Sequence, residues 1–222
     1  LMQNFARQAR ENGASVLTKK SVCSIERISG GWQVSCSGGD EFSAKILINA
    51  AGAWGDQIAQ MAGITPLGFV PLRRSMARIA APGGVQVASW PMMFGAGEAW
   101  YAKPDAGALL VSPADEVLVE PHDAWAEDLA LAEGIDRYQQ VVRHEEIRLI
   151  SSWAGIRTFS PDRSLVIGPD AHAPSFFWMA GQGGYGFQTS PAASQLLCDL
   201  VGGSKSELDA ATVRALSPAR FG

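Results

Sequence analysis

A glycine-dense turn running straight into a helix, Ala180-Gly181-Gln182-Gly183-Gly184-Tyr185-Gly186-Phe187-Gln188-Thr189-Ser190-Pro191, constrains this chain more than any other feature. The apolar run Phe176–Ala180 before it reads as a buried strand, and Gly181, Gly183, Gly184 and Gly186 supply positive-φ freedom and room for close backbone approach. Thr189 or Ser190 is placed to cap the helix, with Pro191 in its first turn, where a missing N–H is tolerated. Free N–H groups and the positive end of the helix dipole would then face whatever lies on the turn, which suits an anion or an electron-rich ring edge. Many strand–turn–helix corners are merely tight, so the pattern by itself leaves the structural and the binding readings level.

A second corner of the same kind lies earlier. The strand within Phe42–Asn49 breaks at Ala50-Ala51-Gly52-Ala53-Trp54 before a helix over Gly55–Ala62. Upstream, Met2, Phe5 and Ala9 fall at helical spacing with Gly13 as the C-cap, so the chain reads as starting inside a domain. Ser15–Leu17, Ser21–Ile28 and Trp32–Ser37, divided by glycine pairs, predict an antiparallel meander. From Pro66 to about residue 120, short strands at Leu72–Ala80, Ala99–Lys103 and Leu109–Ser112 predict an antiparallel sheet of a separate domain. Residues 123–144 follow as a helix on Trp125, Leu129, Ile135, Tyr138 and Val142, with Gly134 a point where it can break. The two glycine corners therefore flank an insert. The expected fold is mixed α/β: a partial dinucleotide-binding domain over 1–65, a substrate-binding sheet and helix over 66–150, and the rest of the first domain over 151–222.

Several functions are disfavoured. With a formal net charge of −4 and its Lys and Arg scattered, the chain has no electrostatic footprint for nucleic acid. Cys23, Cys36 and Cys198 lack metal-ligand spacing and lie far from His122, His144 and His172, so they read as packing cysteines of a reducing compartment, with no metal. No apolar run approaches the ~20 residues that span a bilayer, and no secretion signal or other address is visible, which makes the cytoplasm the default.

Three segments together resemble the D-amino-acid oxidase/dehydrogenase family of FAD-dependent amine oxidoreductases: Ile48-Asn49-Ala50-Ala51-Gly52-Ala53-Trp54, Ser152-Trp153-Ala154-Gly155-Ile156-Arg157, and the turn Gly181–Ser190. Pro71-Leu72-Arg73-Arg74-Ser75, Trp90-Pro91-Met92, Tyr101–Gly107 and Leu216–Arg220 add a similarity to its bacterial D-arginine dehydrogenase branch. The family's strand–GxGxxG–helix unit, which binds the ADP half of FAD, does not occur here; the chain reads as a fragment lacking roughly the family's first third.

The resemblance implies FAD as cofactor and an amino acid as substrate. It places Gly183, Gly184, Tyr185, Gly186, Phe187, Gln188 and Thr189 at the isoalloxazine, Ala50, Ala51, Gly52 and Trp54 along the dinucleotide part, and Val22 on the adenine side. Arg157 matches the carboxylate-binding arginine, Arg74 the branch's second arginine, Tyr101 the tyrosine at the carboxylate end, and Gly184 a backbone carbonyl that orients the amine. By pattern alone Arg157 reads more often as a structural ion pair and Tyr101 as core or sheet surface. Arg73 reads as solvated or acid-paired, Asp115, Glu116 and Glu120 as a solvated loop, and Met92 and Met93 as core filling ahead of pocket lining. The implied reaction is oxidation of D-amino acids to imino and then 2-oxo acids. The alternatives are a glycine- or sarcosine-type amine oxidase and a non-catalytic domain without FAD; homo-oligomers fit any of these.

Overall fold

The computed structural model describes residues 2–83 and 85–222. Helix α1 (Met2–Glu11) ends as its spacing predicts: Gly13 takes φ +86, and the amide of Ala14 bonds back to the carbonyl of Ala9 at 2.9 Å. An antiparallel meander follows, β1 (Val22–Ile28), β2 (Gly31–Cys36) and β3 (Glu41–Ala44). Ser15–Leu17 forms no strand, which corrects the expectation for that segment. The single strand expected within Phe42–Asn49 divides as well. Its first half is β3, while Leu47–Asn49 is β4 of a different sheet.

That second sheet is the frame of the two corners. It orders β11 (Val166–Pro169), β12 (Phe176–Ala180) and β4, with β12 and β4 parallel and Asn49 opposite Trp178. Both glycine corners therefore leave from the C-terminal ends of neighbouring parallel strands, the edge at which open α/β sheets take ligands. Trp32, Phe176 and Trp178 are fully buried beneath it, and the indole N–H of Trp32 donates to the carbonyl and hydroxyl of Ser175, tying meander to sheet. Helix α2 (Gly55–Met61) follows the first corner, and its Asp56 accepts from the amides of Leu67, Gly68 and Phe69. That fixes the Phe69 ring against both corners: a Cβ on Gly55 or on Gly181 would stand 3.4 Å from it.

The third sheet orders β10 (Leu149–Phe159), β5 (Val70–Ala80), β8 (Ala108–Ser112), β7 (Tyr101–Asp105) and β6 (Met93–Phe94), with β9 (Val117–Leu118) also on β5. One face carries Ala77, Ile79, Ala102 and Val111 into a core closed by helix α3 (Asp128–Gln139). The helix is shorter than the expected 123–144 and unbroken. Gly134 serves close approach rather than termination, since a Cβ there would lie 2.6 Å from that of Pro113. Trp125 is left 71% exposed, and Met93 packs on this core while Met92 faces solvent.

Behind α3, Tyr138 and His144 are both buried with Tyr138 Oη 3.3 Å from His144 Nδ1. Burial pushes the Tyr138 pKa up to about 12, so its hydroxyl donates, and burial lowers that of His144, so the imidazole is neutral and accepts. The unfolded chain protonates His144 near the ordinary 6.5 while the folded chain resists it. Urea midpoints should thus hold above about pH 7, decline as the pH falls below about 6.5, and level off below the lowered folded value. His144→Gln should flatten this decline.

Candidate active site

Helix α4 (Gly186–Gly202) begins earlier than expected. Its N-cap is Tyr185, with no side chain capping it; Thr189 donates to the carbonyl of Tyr185 from inside the helix. Pro191 lies within α4 and removes the amide that would bond to Phe187. Ser190 compensates, its hydroxyl donating to that carbonyl at 3.2 Å. The consequence is that the amides of Gly186, Phe187 and Gln188 have no acceptor among the described residues, with Tyr185 and Phe187 60% and 80% exposed beside them. Of the turn glycines only Gly181 and Gly183 hold positive φ, +73 and +51. Gly184 and Gly186 answer to space instead: a Cβ on Gly184 would lie 3.0 Å from Arg157 Nη1, and one on Gly186 3.0 Å from Gln182 Cβ.

Arg157 is thereby seated on the turn. Its Nη2 also donates to the Tyr101 hydroxyl at 3.3 Å, so the structure brings together three of the four expected substrate residues, Arg157, Tyr101 and Gly184. Arg157 has no carboxylate partner among the described residues. The strand β10 that bears it packs against the single helical turn Gly52–Trp54 of the first corner. Gly52 takes φ +56 there, and the buried Asn49 braces the corner, donating to the carbonyl of Gly55 at 2.7 Å and accepting from the amide of Ala51 at 3.3 Å. Ala50 and Trp54 are exposed, Ala51 and Gly52 half-buried. Val22 stays in the meander, its side chain on the core beneath the parallel sheet.

The fourth residue, Arg74, is placed differently. Opposed pairs Gly155–Arg74 and Leu72–Arg157 put Arg74 on the same sheet face as Arg157. Yet its Nη2 is bound to Glu116 at 2.9 Å, and its Nε is buried without an acceptor. Glu116 also receives Arg163 at 2.9 and 3.2 Å, and Arg163 lies 3.9 Å over the ring of Phe159. Its neighbour Asp115 is nearly buried, accepting from the amide and hydroxyl of Ser75 at 2.7 and 2.8 Å. These contacts correct the reading of the 115–120 stretch as a solvated loop for Asp115 alone; Glu116 and Glu120 are exposed as expected, with Glu116 ion-paired at the surface where β9 pairs with β5. Arg73 pairs with Glu127 and Asp115. The residues that sequence reasoning missed are Phe159, Asn49 and Phe69, while Glu116 was weighed only as part of a solvated acidic stretch. Only Asn49, a buried amide immediately before an Ala-Ala-Gly break, carried a local signal.

The model of the family described as FAD dependent oxidoreductase, DAO, matches residues 1–200. The chain belongs to the DAO family. Hydrogen cyanide synthase subunit HcnC of Pseudomonas aeruginosa is 28% identical over 232 residues, an alignment covering 100% of this chain and 51% of that protein. The chain thus spans about half the length of that relative. A D-amino acid dehydrogenase of Rhizobium johnstonii is 39% identical over 77 residues, 35% of this chain and 18% of that one. Among solved structures, glycine oxidase of Geobacillus kaustophilus superposes with a TM-score of 0.81 at 24% identity, covering 92% of this chain and 54% of its own. The fold is accordingly that of the FAD-dependent oxidases and dehydrogenases of this family.

Its cofactor is FAD, and the corner geometry suits it. Three unpartnered amides at a helix N-terminus, a turn whose glycines let it pack closely on Phe159, Arg157 and Gln182, and two exposed aromatic rings make a cradle for a flat, electron-rich ring system. Among the described residues no group of His, Cys, Asp or Glu could hold a metal ion, and no helix is long and apolar enough to cross a membrane. A cavity of about 840 Å³ lies elsewhere, between the end of β5 and residues 143–148.

Proposed function

We propose that this chain supplies the substrate-holding face and the flavin-edge corner of an enzyme that oxidises amino acids, D-amino acids in the first place. The observation that carries the reading is Arg157: a half-buried guanidinium without a carboxylate partner, hydrogen-bonded to Tyr101 and seated on Gly184. Such a group is a receptor for an anion, because a guanidinium left without one at this depth is poorly compensated. Arg157 would take the substrate carboxylate, Tyr101 would hold its second oxygen, and Arg74 would add a single N–H. The carbonyl of Gly184 would accept from the amine and keep the Cα–H directed at the corner. When bound, FAD supplies a two-electron acceptor for the hydride leaving Cα.

The neutral amine provides the electron pair that forms the C=N bond, so no strong base is required of the protein; water then converts the imine to a 2-oxo acid and ammonia. The amides of Gly186, Phe187 and Gln188 would stabilise negative charge at the cofactor's edge, with Gly183 and Thr189 shaping that turn and Ala50, Ala51, Gly52 and Trp54 lining the dinucleotide part. Val22 is the adenine-side candidate. The division into 1–65, 66–150 and 151–222 belongs to the same reading, with β10 crossing from the substrate sheet to the cofactor side.

The preference for D-amino acids draws on similarity to the Rhizobium johnstonii D-amino acid dehydrogenase. A glycine- or sarcosine-type amine oxidase is the second reading, favoured by the fold shared with the Geobacillus kaustophilus glycine oxidase. Anaerobic addition of D-amino acids, L-amino acids, glycine and sarcosine to the flavin-bound protein separates them. Bleaching of the visible flavin band by D-amino acids alone is the expected result. Bleaching by glycine and sarcosine alone moves the chain to the second reading, and a flavin that none of them reduces removes both.

A further inference from the structure

We propose that the cavity of about 840 Å³ at the far end of the substrate sheet is a second small-molecule site, one that takes a free amino acid as its zwitterion. It lies between the end of β5 and residues 143–148, just before β10 begins, whereas Arg157 stands near the other end of that strand. At about 3.3 Å per residue the two places are about 25–30 Å apart, so the cavity is no part of the site at the glycine turns. Its volume falls within the range of about 300–1,000 Å³ in which proteins hold small ligands.

A buried ring supplies the donor. His144 is only 6% exposed, yet it lines the cavity. Its Nδ1 accepts from the Tyr138 hydroxyl, which places the ring proton on Nε2, and Nε2 has no acceptor among the described residues. Polar groups at this depth are ordinarily satisfied, so this neutral N–H offers a hydrogen bond to whatever enters. The backbone keeps the ring in place: the carbonyl of His144 accepts from the side-chain amide of Gln139 at 2.7 Å, and the amide of Ala80 donates to the carbonyl of Arg148 at 2.9 Å, which ties the two sides of the cavity together.

The rim decides what the cavity takes. Arg143, Arg148, Glu145 and Glu146 are exposed around it, and none of them is in an ion pair among the described residues. Two charges of each sign leave the rim without net charge, so a lone anion or cation gains from one pair and loses to the other, while a zwitterion gains from both. Exposed charges of this kind contribute little singly, which leaves selection to their arrangement and the hydrogen bond to His144. Pro82, Val85 and Ile147 add an apolar wall. An α-amino acid with an apolar side chain matches all three features: its carboxylate accepts from His144 Nε2 beside the arginines, its ammonium lies toward the glutamates, and its side chain covers the wall.

The test titrates this chain with leucine, 4-methylpentanoate and 3-methylbutylamine, which share a branched side chain and carry both charges, the negative one or the positive one, while the His144 ring signals are followed by ¹⁵N NMR. Leucine should shift His144 Nε2 and bind about tenfold more tightly than either singly charged probe. Replacing both acids, Glu145→Gln with Glu146→Gln, should bring 4-methylpentanoate level with leucine, because the rim is then net positive; both side chains are exposed, and a gain of affinity cannot come from misfolding. His144→Phe, read on the amides of Ala80 and Arg148, should weaken leucine binding about tenfold, the loss of one hydrogen bond. Equal binding of leucine and 4-methylpentanoate by the wild type, or a leucine preference that survives the double replacement, overturns the zwitterion assignment. A His144 ring that answers to none of the three overturns the site. The Arg157 Nε–H signal in the same titrations reports the glycine-turn site separately, so a carboxylate that shifts Arg157 and not His144 removes this proposal and leaves the substrate-carboxylate reading in place.

Discussion

Arg157→Met should raise the KM for amino-acid substrate about a hundredfold to a thousandfold in the flavin-bound enzyme, while the thermal midpoint moves by no more than about a degree. The first half follows from chemistry: two charge-assisted hydrogen bonds to a carboxylate are worth about 3–4 kcal/mol, and methionine keeps the aliphatic stem without the fork. The second half follows from what the fold asks of Arg157. Among the described residues its one side-chain bond is the 3.3 Å contact with the Tyr101 hydroxyl, so removing it breaks no ion pair there. A structural arginine would behave the other way, with lost stability and unchanged binding. Arg157→Lys should recover part of the affinity, because an ammonium restores the charge but not the parallel pair of donors. Steady-state kinetics beside a melting curve, on all three proteins, distinguishes the two roles.

Much of this site was legible in the sequence because it is written in glycine and proline. Gly52, Gly181 and Gly183 adopt the positive φ that their strand–turn contexts imply, and the apolar runs before them are the buried strands β4 and β12. The central pair of the meander was readable from strands divided by Gly30-Gly31, and the insert from its short strands, while Ser15–Leu17 was read as a strand that does not form and β3 was joined to β4. What escaped was set by contacts distant in sequence. Glu116 binds Arg74 and Arg163, 42 and 47 residues away, so a stretch correctly read as exposed gave no sign of the ion pairs that hold it where β9 pairs with β5. The start of α4 was misplaced for a local reason: a proline was assigned to the first turn, whereas Ser190 takes over the carbonyl that Pro191 leaves free and lets the helix start five residues earlier. Gly134 misled in the opposite direction. It looked like a helix breaker, but Pro113 needs the space above it.

Gly183→Ala joins the fold to the site, and it should lower the thermal midpoint by about 6–12 °C, the equivalent of roughly 3 kcal/mol for a chain of this size. Two costs add. Alanine at φ +51 leaves the region open to L-residues at little penalty, worth about 1–2 kcal/mol. Its Cβ would also stand 2.4 Å from Cε1 and 2.8 Å from Cδ1 of Phe159, inside contact distance. The ring cannot simply retreat, because it is buried and the Arg163 guanidinium lies 3.9 Å over it. Overpacking of this kind costs about 1–3 kcal/mol. Phe159→Leu added to Gly183→Ala should restore about half of the loss, since it relieves the clash and leaves the backbone strain. Any displacement of Phe159 also moves Arg163 and, through Glu116, Arg74. In ¹⁵N NMR the single variant should therefore shift the Nε–H signal of Arg157 less than that of Arg74. The reverse order would mean that the ring supports the turn alone and that the Arg163–Glu116–Arg74 chain moves independently of it.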